Sequence, residues 1–203
     1  AADGDTIRVL AGTYREGTEL RALSASDTAE LEQVRQFFRH YAAWLGVDLS
    51  YQGFADEVAN LPGAYGDADG RLFYATVDGQ PAGCVGIRRF SEGVCEMKRL
   101  YVDPAVRGQG VGRRLALAAI KAALQLGYRR ILLDTLPAMR IAVKLYRELG
   151  FTEAPAYYPT PVEGTIFLTL DLETWSEDVV SNENLFHLFD YNQAWSRQMQ
   201  QID

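Results

Sequence analysis

The 203 residues are 48% hydrophobic and 23% charged, the balance of an ordinary globular chain long enough for one core-bearing domain and an appendage. A net charge of −7 argues against sequence-independent nucleic-acid binding, which draws on phosphate neutralisation by Lys and Arg. No apolar run approaches the ~20 residues that span a bilayer, and no basic segment followed by an apolar core opens the chain, so a cytoplasmic protein that meets no membrane is expected.

The charge is unevenly placed. Residues 171–203 hold seven acidic residues against the single basic Arg197, so that most of the net charge sits in the last 33 residues. Two cysteines, Cys84 and Cys95, and two histidines, His40 and His187, lack metal-ligand spacing, and no metal is expected.

Residues 1–18 form an N-terminal arm in which Ile7, Val9 and Leu10 make a short apolar patch, readable as an extra strand or a loose segment. Residues 19–23 alternate as a strand does, and Ser24 to Asp27 offer cap residues for a helix carrying Leu31, Val34, Phe38, Tyr41 and Leu45 on one face. Gly46 stops that helix, and a shorter one is predicted over 53–60, closed by Leu61, Pro62 and Gly63. Two strands follow around the Asp78-Gly79 turn, residues 71–77 and 81–89. A turn at Ser91, Glu92 and Gly93 leads into a strand over 94–102. That turn sets Cys84 opposite about Leu100, away from Cys95, so both cysteines read as buried reduced thiols. Alternation puts Glu96, Lys98, Leu100 and Val102 on one face of this strand and Cys95, Met97, Arg99 and Tyr101 on the other.

The strand stops at Pro104 and gives way to Arg107-Gly108-Gln109-Gly110-Val111-Gly112-Arg113-Arg114, which opens an apolar helix over 110–126. A helix N-terminus leaves its first N–H groups unpaired and carries partial positive charge, and glycines let an anion approach those donors. Spacing decides between known cradles. A dinucleotide fingerprint would need glycine where Arg113 stands, and a P-loop would need Lys-Ser/Thr after Gly112, so neither fits. A buried strand over 130–134, parallel to and beside the strand ending at Val102, a helix over 138–149, the Gly150 cap and a hairpin returning over 165–172 complete the domain.

The Arg107-x-x-Gly110-x-Gly112 loop resembles the pyrophosphate loop of the GNAT superfamily of N-acetyltransferases, and the run from Ala142 to Phe151 is similar to that family's helix ending in Tyr-x-x-x-Gly-Phe. The element order β-α-α-β-β-β-α-β-α-β-β is the same, over about residues 19–172, with an acidic helical tail at 173–203. The resemblance implies a mixed α/β fold, a mostly antiparallel sheet with one splayed parallel pair flanked by helices, and an acetyl-coenzyme A-dependent transfer to a primary amine of a small molecule or peptide.

By that resemblance, Leu100, Tyr101, Val102, Arg107, Gly108, Gln109, Gly110, Val111, Gly112 and Arg113 hold the coenzyme. Tyr146 is the general acid for the departing thiolate. Glu96 is either the base that deprotonates the amine or a structural partner of Lys98 or Arg99. Trp44, Tyr51, Phe54 and Glu57, with Tyr157 and Tyr158, stand where acceptor walls are expected, packing in the core being the alternative for the aromatic side chains. Met139 replaces an asparagine that often contacts the coenzyme in the family.

The rival functional readings are an acyl-coenzyme A sensor without working acid or base, and a scaffold acting through its tail. The tail's apolar positions (Leu185, Leu188, Phe189, Trp195, Met199) suggest helices docked on the domain or on a second copy in a homodimer. Residues 183–198 also look like the N-terminal helix of β-class carbonic anhydrases, without that family's zinc-binding segments.

Overall fold

The computed structural model describes residues 17–66 and 68–176. The apolar patch at 7–10, the docking helices of the tail and the stretch at 183–198 lie outside the described residues. The observed elements follow the expected order: β1 (Thr18–Ala22), α1 (Thr28–Leu45), α2 (Phe54–Ala59), β2 (Arg71–Val77), β3 (Gln80–Ser91), β4 (Val94–Val102), α3 (Val111–Gln125), β5 (Arg130–Thr135), α4 (Arg140–Glu148), β6 (Thr152–Glu153) and β7 (Ile166–Asp171). The strand order is β1-β2-β3-β4-β5-β7-β6, a mixed α/β fold whose sheet is mostly antiparallel with one parallel pair. The described residues divide into two compact units, one running up to residue 131 and one from residue 132, which are described one at a time.

In the first unit β1 to β4 form an antiparallel meander. The Asp78-Gly79 turn takes φ of 51° and 74°, the left-handed pair that a two-residue hairpin of primed type requires. Asp27, at the start of α1, turns its carboxylate back onto the Ser24 amide at 2.6 Å and the Arg21 guanidinium at 2.7 Å. Helix α1 buries Leu31, Val34, Phe37 and Phe38 and ends on Gly46 at φ 64°. Phe37, absent from the expected face, lies tilted against Tyr101 with ring centroids 5.1 Å apart and stacks on Tyr74 at 6.3 Å. Those residues, with Leu72, Cys84, Val58 and Tyr65, make one core beneath α1 and α2. Helix α3 packs on β2, β3 and β4 and buries Val111, Ala122, Ala123 and every residue from 115 to 120, as its nearly all-apolar surface predicts.

The course of β4 departs from simple alternation. Gly86 pairs with Lys98 and Cys84 with Tyr101, so the single Val85 of β3 stands against Arg99 and Leu100. This is a β-bulge, and its first residue, Arg99, sits at φ 59°. Cys84 and Gly86 share a face, so their partners Tyr101 and Lys98 do too. The expected grouping is therefore corrected: Glu96 and Lys98 share their face with Tyr101, and Val102, paired with Gly83, lies on the other. The inserted residue shifts the phase by one, which period-two counting cannot show. For the same reason Cys84 faces Tyr101, one place beyond the expected Leu100. Both cysteines are buried and free, and burial pushes the Cys95 thiol up to about 12 and Cys84 higher still.

In the second unit Gly150, at φ 94°, ends α4, and the Phe151 amide donates to the Tyr146 carbonyl at 2.9 Å. The Trp175 indole donates to the Leu149 carbonyl at 3.0 Å. Strands β6 and β7 pair antiparallel, giving the expected hairpin with a first strand of only two residues.

Candidate active site

The chain after β4 is shaped from residue to residue. The Asp103 carboxylate accepts from the Ala105 amide at 2.9 Å and caps a short 3-10 turn at Pro104–Val106. Gly108 at φ 76° and Gly110 at φ 79° then turn the backbone into α3. Gly110 is the N-cap and, having no side chain, leaves no cap bond on the first turn. The amides of Val111, Gly112 and Arg113 are thus the ones that a helix start leaves without intrahelical acceptors. Two left-handed glycines in front of such donors form a cradle that an anionic group can enter closely.

Arg107 flanks this cradle. Its Nε donates to the Val102 carbonyl at 3.1 Å, and its guanidinium carbon lies 5.8 Å from the centre of the Trp44 ring. Burial depresses its pKa from the ordinary arginine value, though not to a range where an arginine loses its charge. The resemblance assigns Arg107 to the pyrophosphate and Val102 to the coenzyme arm; in the structure the two are bonded to each other.

A second feature lies on the α1–α2 face of the sheet. Arg88 of β3 stands opposite Glu96 of β4 and gives it both Nε, at 2.9 Å, and Nη2, at 2.8 Å, on the same oxygen, Oε2. Lys98 Nζ reaches the other oxygen, Oε1, at 3.3 Å. Of the two partners that the structural alternative offered Glu96, Lys98 is bonded to it; Arg99 is instead turned to Glu57 of α2, through three hydrogen bonds of 2.6 to 3.2 Å. The Tyr65 hydroxyl also donates to Glu57 at 2.5 Å.

Burial by itself opposes ionisation of Glu57, but the bonds and charge of Arg99 prevail and hold its carboxyl below the usual range. Burial, with the Glu57 charge, drives the Tyr65 phenol well above its ordinary value. A cavity of about 220 Å³ opens here, lined by Gln52, Glu57, Asn60, Tyr65 and Arg88 among others.

Of the four α1–α2 residues expected at an acceptor wall, Glu57 lines this cavity and the aromatic three are not among its lining. Trp44 is 37% exposed beside Arg107. Phe54 packs on the core with the Arg99 guanidinium 5.1 Å from its ring. The Tyr51 hydroxyl accepts from Gln52 at 3.1 Å.

In the second unit Tyr146 is buried on α4 with its ring 5.6 Å from that of Phe151. Tyr157 and Tyr158 pack edge-to-face on each other and on Phe167, with centroids 5.1 to 5.3 Å apart. Among the described residues no cluster of three or more His, Cys, Asp or Glu could hold a metal ion, and no helix is long and apolar enough to cross a membrane.

Sequence reasoning passed over Arg88 and Tyr65. The signals were present: an arginine follows directly on the apolar core run of β3, and a glycine, Gly86, stands mid-strand. An ideal Cβ at Gly86 would fall 2.6 Å from the Tyr65 ring, so that glycine makes room for the ring.

The model of the Acetyltransferase (GNAT) family matches residues 29–151. An uncharacterized N-acetyltransferase of Schizosaccharomyces pombe is 35% identical over 145 residues, spanning 70% of this chain and 89% of that protein. An acetyltransferase from Streptococcus agalactiae shares the fold with TM-score 0.64 at 19% identity, over 77% of this chain and 99% of that one. So does a putative acetyltransferase from Salmonella typhimurium solved with acetyl-CoA, with TM-score 0.60 at 20% identity, over 79% of this chain and 97% of that one. With more than half of its residues matched by the family model, the chain belongs to the acetyltransferase (GNAT) family.

Proposed function

We propose that the chain transfers the acetyl group of acetyl-coenzyme A to a primary amine of a small molecule or peptide by direct attack on the thioester. The observation that carries this is the start of α3 behind Gly108 and Gly110, without a side-chain cap and one short 3-10 turn after the end of β4. Backbone donors of Val111, Gly112 and Arg113, with Gln109 beside them, suit a pyrophosphate, and Arg107 adds charge. Leu100, Tyr101 and Val102 supply backbone groups for the pantetheine arm. A bulge interrupts the ladder of its own strand, and an amide so released near Leu100 can donate to the thioester carbonyl as oxygen charge develops.

In the transfer the amine nitrogen bonds to the acetyl carbon, the carbon–sulfur bond breaks, the amine loses a proton and the thiolate gains one. Tyr146, in the family's second motif, donates the proton to sulfur. Glu96 accepts the amine's proton. Both of its oxygens are held by cations, so it works through a water or after Lys98 lets go. A cytoplasmic setting, which the free Cys84 and Cys95 fit, and a homodimer tested by solution mass belong to the same reading.

The experiment is calorimetry with acetyl-coenzyme A beside an assay of free-thiol release over an amine panel. Binding with amine-dependent release is the expected result, and binding without release on any amine overturns the reading in favour of a sensor. Glu96→Gln then tests the base: loss confined to the acidic limb of the pH–rate profile assigns deprotonation to it, and an unmoved profile removes it from the reaction.

A further inference from the structure

We propose that the cavity beside α2 receives a carboxylate of the acceptor through Arg88, making the acceptors small amines that also carry a carboxylate. The inference rests on the acetyl-transfer reading above and specifies its substrate class.

The cavity, at about 220 Å³, is small beside the ~300–1,000 Å³ of sites for larger ligands, so it suits a compact head group. Its charged lining consists of Glu57 and Arg88. Glu57 is compensated in place by Arg99 and bonded by Tyr65. Arg88 is not used up in this way. Both of its bonds, from Nε and Nη2, converge on the single oxygen Oε2 of Glu96, and its Nη1 has no hydrogen bond among the described residues. Its side chain keeps 30% exposure while Glu96 behind it keeps 4%.

The neighbouring amides are otherwise turned: Asn60 Nδ2 donates to the Asp56 carbonyl at 2.8 Å, and Gln52 Nε2 to the Tyr51 hydroxyl. Arg88 therefore offers an oriented cation with spare donors at the wall, held by a buried carboxylate. A planar guanidinium with donors to spare matches a carboxylate. Glu96 acts here as a positioning residue for Arg88 as well as the proposed base, placing substrate recognition and deprotonation on one ion pair.

The test uses the full chain with coenzyme A bound. Calorimetric affinity is measured for several L-amino acids, each beside its own α-carboxamide, together with steady-state acetylation of the same pairs. The wild type should bind each acid roughly ten- to a hundredfold more tightly than its amide, the scale of one charge-assisted hydrogen-bonded contact. Arg88→Gln should abolish that ratio, Arg88→Lys, which keeps the charge and loses the fork, should retain only part of it, and the KM for acetyl-coenzyme A should not move. Comparing ratios between variants cancels the different basicities of acid and amide.

Equal binding of acid and amide by the wild type overturns the proposal, as does a ratio that survives in folded Arg88→Gln. Should Arg88→Gln melt, an unchanged ratio in Arg88→Lys overturns it equally. Acids that bind ahead of amides while no amine is acetylated would support the subsite and sink the transfer reading instead.

Discussion

Arg99 and Glu57, 42 residues apart in sequence, are joined by three hydrogen bonds, the shortest 2.6 Å from Nη2 to Oε2. The pair ties the β4 bulge to α2, and with side chains 4% and 9% exposed it is screened little by water or salt. Removing one partner leaves the other charge buried, so Glu57→Gln should cost about 3 kcal/mol at neutral pH. The folded carboxyl titrates below its ordinary value, which for an unfolded chain is ~4.3. Its contribution is thus complete above about that pH and is lost as pH falls through the lower folded pKa. Urea unfolding between pH 7 and pH 3 checks this: the wild type should lose stability over that acid window more steeply than Glu57→Gln, and parallel curves would refute the assignment.

Tyr146→Phe removes one hydroxyl and leaves the ring packed on Phe151. If the phenol protonates the leaving thiolate, the turnover number should fall about 10²- to 10⁴-fold, while calorimetric affinity for acetyl-coenzyme A stays unchanged. Retained turnover would assign Tyr146 to packing alone.

Gly110 holds φ 79° at the N-cap of α3, a conformation that costs an alanine roughly 1–2 kcal/mol. Gly110→Ala should therefore lower the melting temperature and, by straining the backbone at the head of the proposed cradle, raise the KM for acetyl-coenzyme A. Gly46→Ala is the control: Gly46 has φ 64° and open space around it, so it should show a similar strain with the KM unmoved. Equal KM values in both variants would separate the loop from coenzyme binding.

Gly86→Ala tests the room behind the charged cavity. Its Cβ would lie 2.6 Å from two carbons of the Tyr65 ring, and that ring is 2% exposed with its edge against Phe38 at 6.4 Å. The ring must shift, against Phe38 or toward the cavity it lines, at about 1–3 kcal/mol by the usual cost of overpacking. Thermal melts should show that loss, and Tyr65→Phe should not relieve it, since the clash is with the ring and not the hydroxyl.

How much of this was legible beforehand varies with how local the cause is. The helix starts and stops, the Asp78-Gly79 hairpin, the apolar α3 and the glycines before it were readable because each rests on a few adjacent residues: a cap, a turn that needs positive φ, a donor-rich helix end. The glycine-framed helix start on which the proposed cradle rests was thus in the sequence. The charged network was not. The bulge shifted Arg99 and Tyr101 out of phase with the alternation that works from Val94 to Lys98, and no residue type in that strand announces an extra residue in the pairing.

The sequence by itself determined the order of elements, the glycine-framed start of α3 and the Tyr146 motif, because backbone conformational preference and hydrophobic periodicity act over one or two turns. Tertiary structure decided which charges meet. Arg88 reaches Glu96 across two strands, and Arg99 reaches Glu57 from strand to helix, because register and the bulge choose the partners. That choice leaves Arg88 as the cation facing the cavity.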